Sequence, residues 1–519
     1  MTNSERIVEF MSRPAAYPDR ATEVEIIETH ISWVFLSDRF AYKLKKPVKF
    51  EFVDFSTPEL RHQACLEELR LNRRLAPDVY LAVLPVIETN DGSLQLGGRA
   101  RDGKVFDWLV HMRRLPAEQA LDRLLLEARL TPDDAQQIAQ RLAEFYTALP
   151  PLSIRPDEYR QALDRHIRAN QTALMQALPG DQAQVRRIHG AQLRYLNIEQ
   201  WIFDNRASAG RIVDGHGDLR PEHIYLTDRP IVIDCLEFSQ ELRRVDIADE
   251  LSFLAMECER LGHAEMGELA LATYDEISSD CVPERLTAFY RSYRACVRAK
   301  VAEIQREQHR DNRRSNSANI VRQYLELADQ YAGQLGPPCL LVVFGLMGSG
   351  KSTLAETLAE ALSIDVVSTD GVRRSLLGTS PSPAGYGEGI YRAELRRQVY
   401  DELLRQADKV LSKRLSVIFD GAFLTRELRQ RANGVAYRHG AVGLNILCEC
   451  PRQTALDRIE KRAAVGGSES EARVDLFDAQ AQEFEPPNAD EPTVRVDTTA
   501  DETQQVQGVY EELQSILFA

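Results

Sequence analysis

The segment Gly345-Leu346-Met347-Gly348-Ser349-Gly350-Lys351-Ser352 spaces its residues as G-x-x-x-x-G-K-[ST]. Glycines let backbone wrap closely around phosphate, and the N–H groups of such a loop and of the helix after it present positive dipole ends. A lysine at this spacing reaches the β- and γ-phosphates, and the hydroxyl after it ligates Mg²⁺. Gly345, Gly348, Ser349, Gly350, Lys351, Ser352 and Thr353 are therefore expected to cradle ATP, with Ser352 on the metal. Further carboxylates and cations follow. Asp370 stands just past an apolar run and is placed to take a proton from a substrate hydroxyl, with Arg373 and Arg374 a helical turn later to hold an anionic substrate or the moving phosphoryl group. Asp420 ends the run Ser416–Phe419, where a carboxylate on the metal side belongs. Simple helix-capping carboxylates are the plainer alternative for both. Arg458 and Arg462 lie at i, i+4 on one helix face, with Arg473 beyond a Gly-Gly-Ser loop. They suit a lid that closes on phosphates, or only a solvated charged helix.

A second constellation lies upstream. His216-Gly217-Asp218-Leu219-Arg220-Pro221-Glu222-His223 precedes Ile231-Val232-Ile233-Asp234. An Asp in a loop followed by an Asp ending a nearby strand is the protein-kinase arrangement, in which the first takes the hydroxyl proton and the second holds Mg²⁺. Phe40-Ala41-Tyr42-Lys43-Leu44-Lys45-Lys46 offers a lysine to the α- and β-phosphates. Lys43 and Lys45 share a face, so the choice stays open; Lys43 is preferred, with Glu68 (or Glu67) as its partner. A solvated edge strand is the alternative. No G-x-G-x-x-G loop lies near these strands, and Ser37-Asp38-Arg39 is a tight turn without glycine.

The elements that must position these groups differ between the two parts. Upstream, Ile31–Leu36 and Phe40–Leu44 flank that turn as a hairpin. Ser56-Thr57-Pro58-Glu59 has the capping residues and first-turn proline of a helix start, with the helix running to about Leu75. Strands are expected near Val83–Glu88 and Val105–Met112, then helices from about Ala117 to Ile202, with Thr131-Pro132-Asp133-Asp134 a clear start. Brief strands near Ile212 and Ile231 interrupt before helices resume from Ile247 to about Gly333. Gly336-Pro337-Pro338 breaks the run and marks a domain boundary. Downstream, Leu340–Phe344, Asp365–Ser368, Ser416–Asp420 and Gly443–Cys448 alternate with helical stretches, the pattern of a parallel sheet covered by helices.

Bulk properties narrow the function classes. The chain has 519 residues, 44% hydrophobic and 28% charged, with a net charge of −15. That charge argues against nucleic acid or an anionic membrane as a partner. No apolar run reaches membrane-spanning length and the first twenty residues lack a signal-peptide core, so a cytoplasmic protein is expected. The eight cysteines do not read as a disulfide framework; Cys448 and Cys450, expected on one strand face, read as buried small residues. The basic clusters Arg291…Arg294…Arg298…Lys300 and Arg310…Arg313-Arg314 read as solvated faces.

The downstream motifs resemble the small P-loop kinases related to zeta toxins, chloramphenicol phosphotransferase and gluconate kinase, over about residues 339–519. The upstream pair resembles the aminoglycoside-phosphotransferase and choline-kinase-like family, whose motif reads HGD-L-H-x-x-N, over roughly residues 20–330. That resemblance implies Asp218 as catalytic base and Asp234 as metal ligand. It puts His223 where the family holds a second-metal Asn, and imidazole suits Mg²⁺ poorly. The implied fold is α/β and α+β: a bilobal protein-kinase-like domain (1–335, with an N-lobe of about 20–115 and a helical C-lobe of about 116–335), then a doubly wound parallel-sheet P-loop NTPase domain (339–519). The implied activity is phosphorylation of a small-molecule hydroxyl with ATP and Mg²⁺. The alternative is a P-loop enzyme regulated by a catalytically inactive, ligand-sensing kinase-like domain. Nothing in the sequence fixes the acceptor or the oligomeric state.

Overall fold

The structure is a computed structural model that describes residues 3–18, 21–50, 53–98, 103–308, 314–377, 393–465 and 474–518. Arg310, Arg313 and Arg473 lie outside the described residues, as does the side chain of Arg314. Contacts divide the chain into two compact units. The first holds Met1–Arg155, Arg206–Ala295 and Val301–Gln323; the second holds Pro156–Asn205, Cys296–Lys300 and Tyr324–Ala519. This differs from a division at Gly336. The helices of 156–205 group with the second unit because their apolar faces complete its core, Ile198 packing with Cys339, Leu341 and Leu517.

In the first unit six strands form an antiparallel sheet: β1 (Glu25–Glu28), β2 (Ser32–Leu36), β3 (Phe40–Lys45), β4 (Tyr80–Glu88), β5 (Leu94–Leu96) and β6 (Lys104–Arg113), in the order β1-β2-β3-β6-β4-β5. Alternation sorts its two faces. Tyr42, Leu44 and Leu109 join one core, and Ala41, Val110 and Met112 join another that includes Cys65 of the helix Pro58–Asn72. Lys43 and Lys45 share the parity of Ala41 and so point at that helix. Thr57 caps it by accepting from the Leu60 N–H at 3.3 Å, and it stops at Asn72, short of the expected Leu75. Thr131 and Asp134 form a reciprocal capping box on Pro132–Ala148, which packs in the helical part of the unit.

In the second unit five parallel strands form one sheet: β7 (Cys339–Phe344), β8 (Asp365–Ser368), β9 (Val417–Asp420), β10 (Val442–Glu449) and β11 (Thr493–Asp497), in the order β8-β9-β7-β10-β11. β7 is buried along its whole length, with Cys339, Leu341 and Val343 in one core and Leu340, Val342 and Phe344 in the other. That is the residue pattern of a strand covered on both faces. The order reverses at β7, and in such sheets ligands bind outside the carboxyl ends of strands at the reversal. β11 has no counterpart among the expected strands. Cys448 closes the buried part of β10, whereas Cys450 falls past its end, so the two are not neighbours on one strand face.

The cluster Arg291–Lys300 is not a solvated face. Arg294 is buried and holds Asp249 through two 2.7 Å bonds, Arg291 pairs with Glu268, and Lys300 donates to Asn170. Among the described residues no helix is long and apolar enough to cross a membrane.

Candidate functional sites

The carboxyl ends of three adjacent strands assemble the site of the second unit. Val343 on β7 and Ser368 on β8 both stand opposite Asp420 on β9. The loop 345–350 leaves β7, and the helix Lys351–Leu362 starts at its end. Gly348 has φ +74°, and a β-carbon there would lie 2.5 Å from the Ala455 carbonyl oxygen. Gly345, at φ +139°, leaves the same 2.5 Å to the Cys448 carbonyl oxygen. Only glycine fits either position.

Lys351 donates from Nζ to the Leu346 carbonyl at 2.8 Å, and Ser352 donates from Oγ to Asp420 Oδ2 at 2.7 Å. Burial lowers the Lys351 pKa against the pull of Asp420, and raises that of Asp420 against the pull of Lys351 and the Ser352 bond. Asp370 and Arg462 both act electrostatically on these two groups. Lys351, Ser352, Asp370, Asp420 and Arg462 thus converge on one place. Thr353 lies on the exposed side of its helix.

Asp370 sits just past β8, in the first turn of the helix Thr369–Leu377. Its Oδ1 accepts from Arg373 at 2.5 Å. Arg374 is exposed on the same helix. Arg458 is anchored rather than lid-like: it donates to Thr498 Oγ1 at 3.0 Å, to the Thr498 carbonyl at 2.9 Å and to the Gly348 carbonyl at 3.4 Å. Thr498 in turn donates to the Ser349 carbonyl at 2.7 Å. Sequence reasoning missed Thr498, and also Gln480, whose Oε1 accepts from the Met347 N–H at 3.1 Å. A threonine one residue past a strand end was the available signal, hidden because Thr493-Val-Arg-Val-Asp497 carries charge inside the strand.

The oxygen donor set of Ser352 and Asp420 beside a buried lysine fits Mg²⁺, which takes one or two carboxylate or hydroxyl ligands and completes its shell with phosphate and water. Ser349 Oγ, buried and without a hydrogen-bond partner, faces the same loop and fits an absent anion.

The first unit builds its site across its sheet and helical part. Lys43 Nζ lies 2.6 Å from Asp234 Oδ1 and 3.0 Å from Glu68 Oε1. Lys45, fully buried, lies 2.6 Å from Glu68 Oε2 and pairs with Glu237. Glu68 therefore bridges both lysines, with Lys43 on the side of Asp234 and Lys45 beneath it. Glu67 turns away to Arg70 and Arg243. Partial burial opposes ionisation of Asp234, but the charge and hydrogen bond of Lys43 outweigh it and hold its pKa well below the ordinary range. Asp234 adopts φ +63°, uncommon for a residue with a β-carbon. Its N–H donates to Tyr80 Oη at 3.1 Å, and the next N–H donates to Asn72 Oδ1 at 2.9 Å, which fixes the turn.

The loop bearing Asp218 is fixed from below. Glu250 accepts from the N–H groups of His216 and Gly217 and from Tyr146 Oη, at 2.6, 3.0 and 2.7 Å. Asp218 Oδ2 accepts from Arg220 Nε at 3.0 Å. Arg220 Nη2 lies 3.0 Å from His223 Nε2, and a guanidinium can only donate, so that lone pair is committed to Arg220. His223 Nδ1 then donates to the Asp218 carbonyl at 2.9 Å. His223 Nε2 is 3.7 Å from Asp234 Oδ2. Asp234 fits a metal ligand, whereas His223 does not, so a two-metal site does not fit here. β1 and β2 are joined by Thr29-His30-Ile31 alone, a turn without glycine.

Antiparallel sheet plus helical lobe in one unit, and a parallel sheet with a phosphate loop in the other, define a chain of two kinase-family domains. Residues 39–272 match the phosphotransferase enzyme family (APH), and residues 340–487 match the AAA domain family (AAA_33). The chain belongs to one family with uncharacterized proteins of Mycobacterium tuberculosis (strain ATCC 25618 / H37Rv) and Mycobacterium bovis, each 34% identical over 460 residues that cover 87% of this chain and 88% of the relative. Among solved structures, a choline/ethanolamine kinase family protein from Mesorhizobium loti is 15% identical and covers 63% of this chain and 99% of its own, with TM-score 0.37. A gluconokinase from Sinorhizobium meliloti 1021 is 19% identical and covers 35% and 94%, with TM-score 0.26.

Proposed function

We propose that this chain is a phosphotransferase whose second unit moves the γ-phosphoryl group of ATP to a hydroxyl of a small molecule. The observation that carries the reading is the 2.7 Å bond from Ser352 to Asp420, with Lys351 rooted on the loop carbonyl beside it. The loop N–H groups and Lys351 hold the β- and γ-phosphates. Asp370 keeps one carboxylate oxygen without a hydrogen-bond partner among the described residues and accepts the acceptor hydroxyl proton. The acceptor oxygen forms its bond to phosphorus as the bond to the ADP oxygen breaks. Ser352 and Asp420 would hold Mg²⁺, which when bound neutralises charge on the β- and γ-phosphate oxygens. Arg462 adds positive charge at the phosphate end, and Arg458 is a positioning residue that props the loop through Thr498. The rate gain rests on placement and charge stabilisation, not on a covalent enzyme intermediate.

The first unit carries the equivalent roles on Lys43 (phosphates), Glu68 (its partner), Asp218 (base) and Asp234 (metal ligand). A second reading is favoured by the glycine-free turn 29–31 and by His223 being bound to Arg220: the first unit senses a ligand and no longer transfers phosphate. ATP consumption by the full chain with a cell metabolite extract, with mass spectrometry of phosphorylated products, separates these. Lys351→Ala is expected to abolish one product and Asp218→Asn another. Loss with Lys351→Ala alone establishes the second reading, and loss with neither variant overturns both.

A further inference from the structure

A second basic site lies within the second unit, away from the phosphate loop. A cavity of about 500 Å³ flanks the amino ends of β8 and β9, whereas the phosphate loop follows the carboxyl end of β7. Every lining residue belongs to the second unit. Its charges are Arg186, Arg187, Arg194 and Arg414 against Asp365, in a chain whose net charge is −15.

Two of these guanidinium groups are not neutralised. Arg194 is 4% exposed and bonds only neutral groups, the Gly336 carbonyl at 2.9 Å and Ser416 Oγ at 3.3 Å. Its Nε is buried with no hydrogen-bond partner. Arg414 is exposed and held at φ +57°; its backbone N–H donates to the Leu411 carbonyl at 2.8 Å, and its guanidinium makes no hydrogen bond or ion pair among the described residues. Arg186 and Arg187 are paired with Asp365 and Asp329. Burying a cation such as Arg194 without a counter-charge is unfavourable. An anion in the cavity removes that cost.

We propose that this cavity binds a phosphorylated sugar. Planar guanidinium forks match phosphate oxygens two at a time. The volume falls in the small-ligand range of roughly 300–1,000 Å³, too small for a polymer. No aromatic ring lines it, so it offers no stacking surface for a nucleobase. Amide and hydroxyl groups such as Gln171 and Ser363, joined at 3.3 Å, suit a polyhydroxylated body.

Calorimetric titration of the full chain with fructose 1,6-bisphosphate tests this, run in a Lys351→Ala background so that the phosphate loop does not contribute. Binding is expected, with Kd raised at least about tenfold by Arg414→Asn, which removes one charged hydrogen-bonding group and keeps a residue tolerant of positive φ. Arg186→Gln is the second variant and is expected to weaken binding in the same direction. Absence of binding at millimolar concentration, or unchanged Kd in both arginine variants, overturns the site. Inorganic phosphate binding as tightly as the bisphosphate overturns the sugar assignment, as does fructose alone binding equally well.

Discussion

Lys43 and Lys45 are two residues apart on one strand and touch the same glutamate, yet their replacement is expected to have opposite effects. Lys45→Met leaves Glu68 and Glu237 without their shared cation. Both lysine and Glu68 side chains are 0% exposed, and that of Glu237 is 4%. Removing one partner of a buried ion pair costs about 3–5 kcal/mol. Lys43→Met leaves Glu68 still 2.6 Å from Lys45 and frees Asp234, whose side chain is 43% exposed and can be solvated. A pair with a solvated member is worth about 0–1 kcal/mol. The two variants should therefore differ by roughly 3 kcal/mol in the unfolding free energy of the first unit. Trp33 and Trp108 lie in that unit and the exposed Trp201 in the other, so urea unfolding followed by tryptophan fluorescence in a Trp201→Phe background isolates it. Nucleotide titration of the same proteins, with Lys351→Ala silencing the second unit, should show binding lost in Lys43→Met and retained in folded Lys45→Met. Equal destabilisation by the two substitutions, or loss of nucleotide binding in Lys45→Met alone, would refute the assignment of Lys43 to phosphate and Lys45 to structure.

Gly348→Ala forces a β-carbon to 2.5 Å from the Ala455 carbonyl oxygen at φ +74°; fluorescent-ATP titration should show at least a tenfold loss of affinity, about 1.4 kcal/mol, and unchanged affinity would remove the steric argument. Thr498→Val keeps shape but deletes the hydroxyl joining Ser349 to Arg458, and should cost about 1.5–3 kcal/mol of nucleotide binding at the second unit. His189 is fully buried, with Nδ1 2.8 Å from the Val185 carbonyl, and burial lowers its pKa from 6.5 to about 4. The unfolded chain takes up the proton first as pH falls, so stability of the second unit should drop between pH 6.5 and 4, by about 3 kcal/mol at 1.36 kcal/mol per unit. His189→Leu should flatten that slope in acid-dependent thermal melts; an unchanged slope would assign the loss to other groups.

The parts of the molecule legible in the sequence are those whose partners lie close along the chain. The phosphate loop is contiguous, and β8 and the capping signals of Thr57 and Thr131 are local chemistry. Groups whose meaning depends on distant partners were hidden. Lys45 meets Glu237 across 192 residues, and Thr498 meets the loop across 149. Arg294 sits on a helix whose charges look solvated, but Asp249 lies 45 residues away and draws it inside. Arg458 and Arg462 share a face as their spacing requires, yet one props the loop and the other acts electrostatically on Lys351 and Asp420. That distinction depends on the position of Thr498, which periodicity does not contain.

The support beneath Asp218 bears on whether the first unit is a working site. A loop that had lost its task would have no need of a buried carboxylate accepting three hydrogen bonds under it. Glu250 is 0% exposed and spends its oxygens on the His216 and Gly217 N–H groups and Tyr146. The neighbouring Arg294 is held by Asp249 and donates to the Gly217 carbonyl at 3.4 Å. These groups bury charge to fix the backbone of the loop, and fixed backbone is what a transition state needs if it is to meet its base without reorganisation. Arg220 is the opposing feature, since its ion pair with Asp218 occupies an oxygen that a base must offer. Asp218 is 23% exposed and Arg220 14%, so the bond is open to exchange when an anionic nucleotide draws the guanidinium away. On this argument Arg220→Ala should raise any phosphotransfer by the first unit if the pair is a brake, and abolish it if Arg220 holds phosphate. An Arg220→Ala variant with unchanged turnover and unchanged nucleotide affinity would leave Arg220 no part in either.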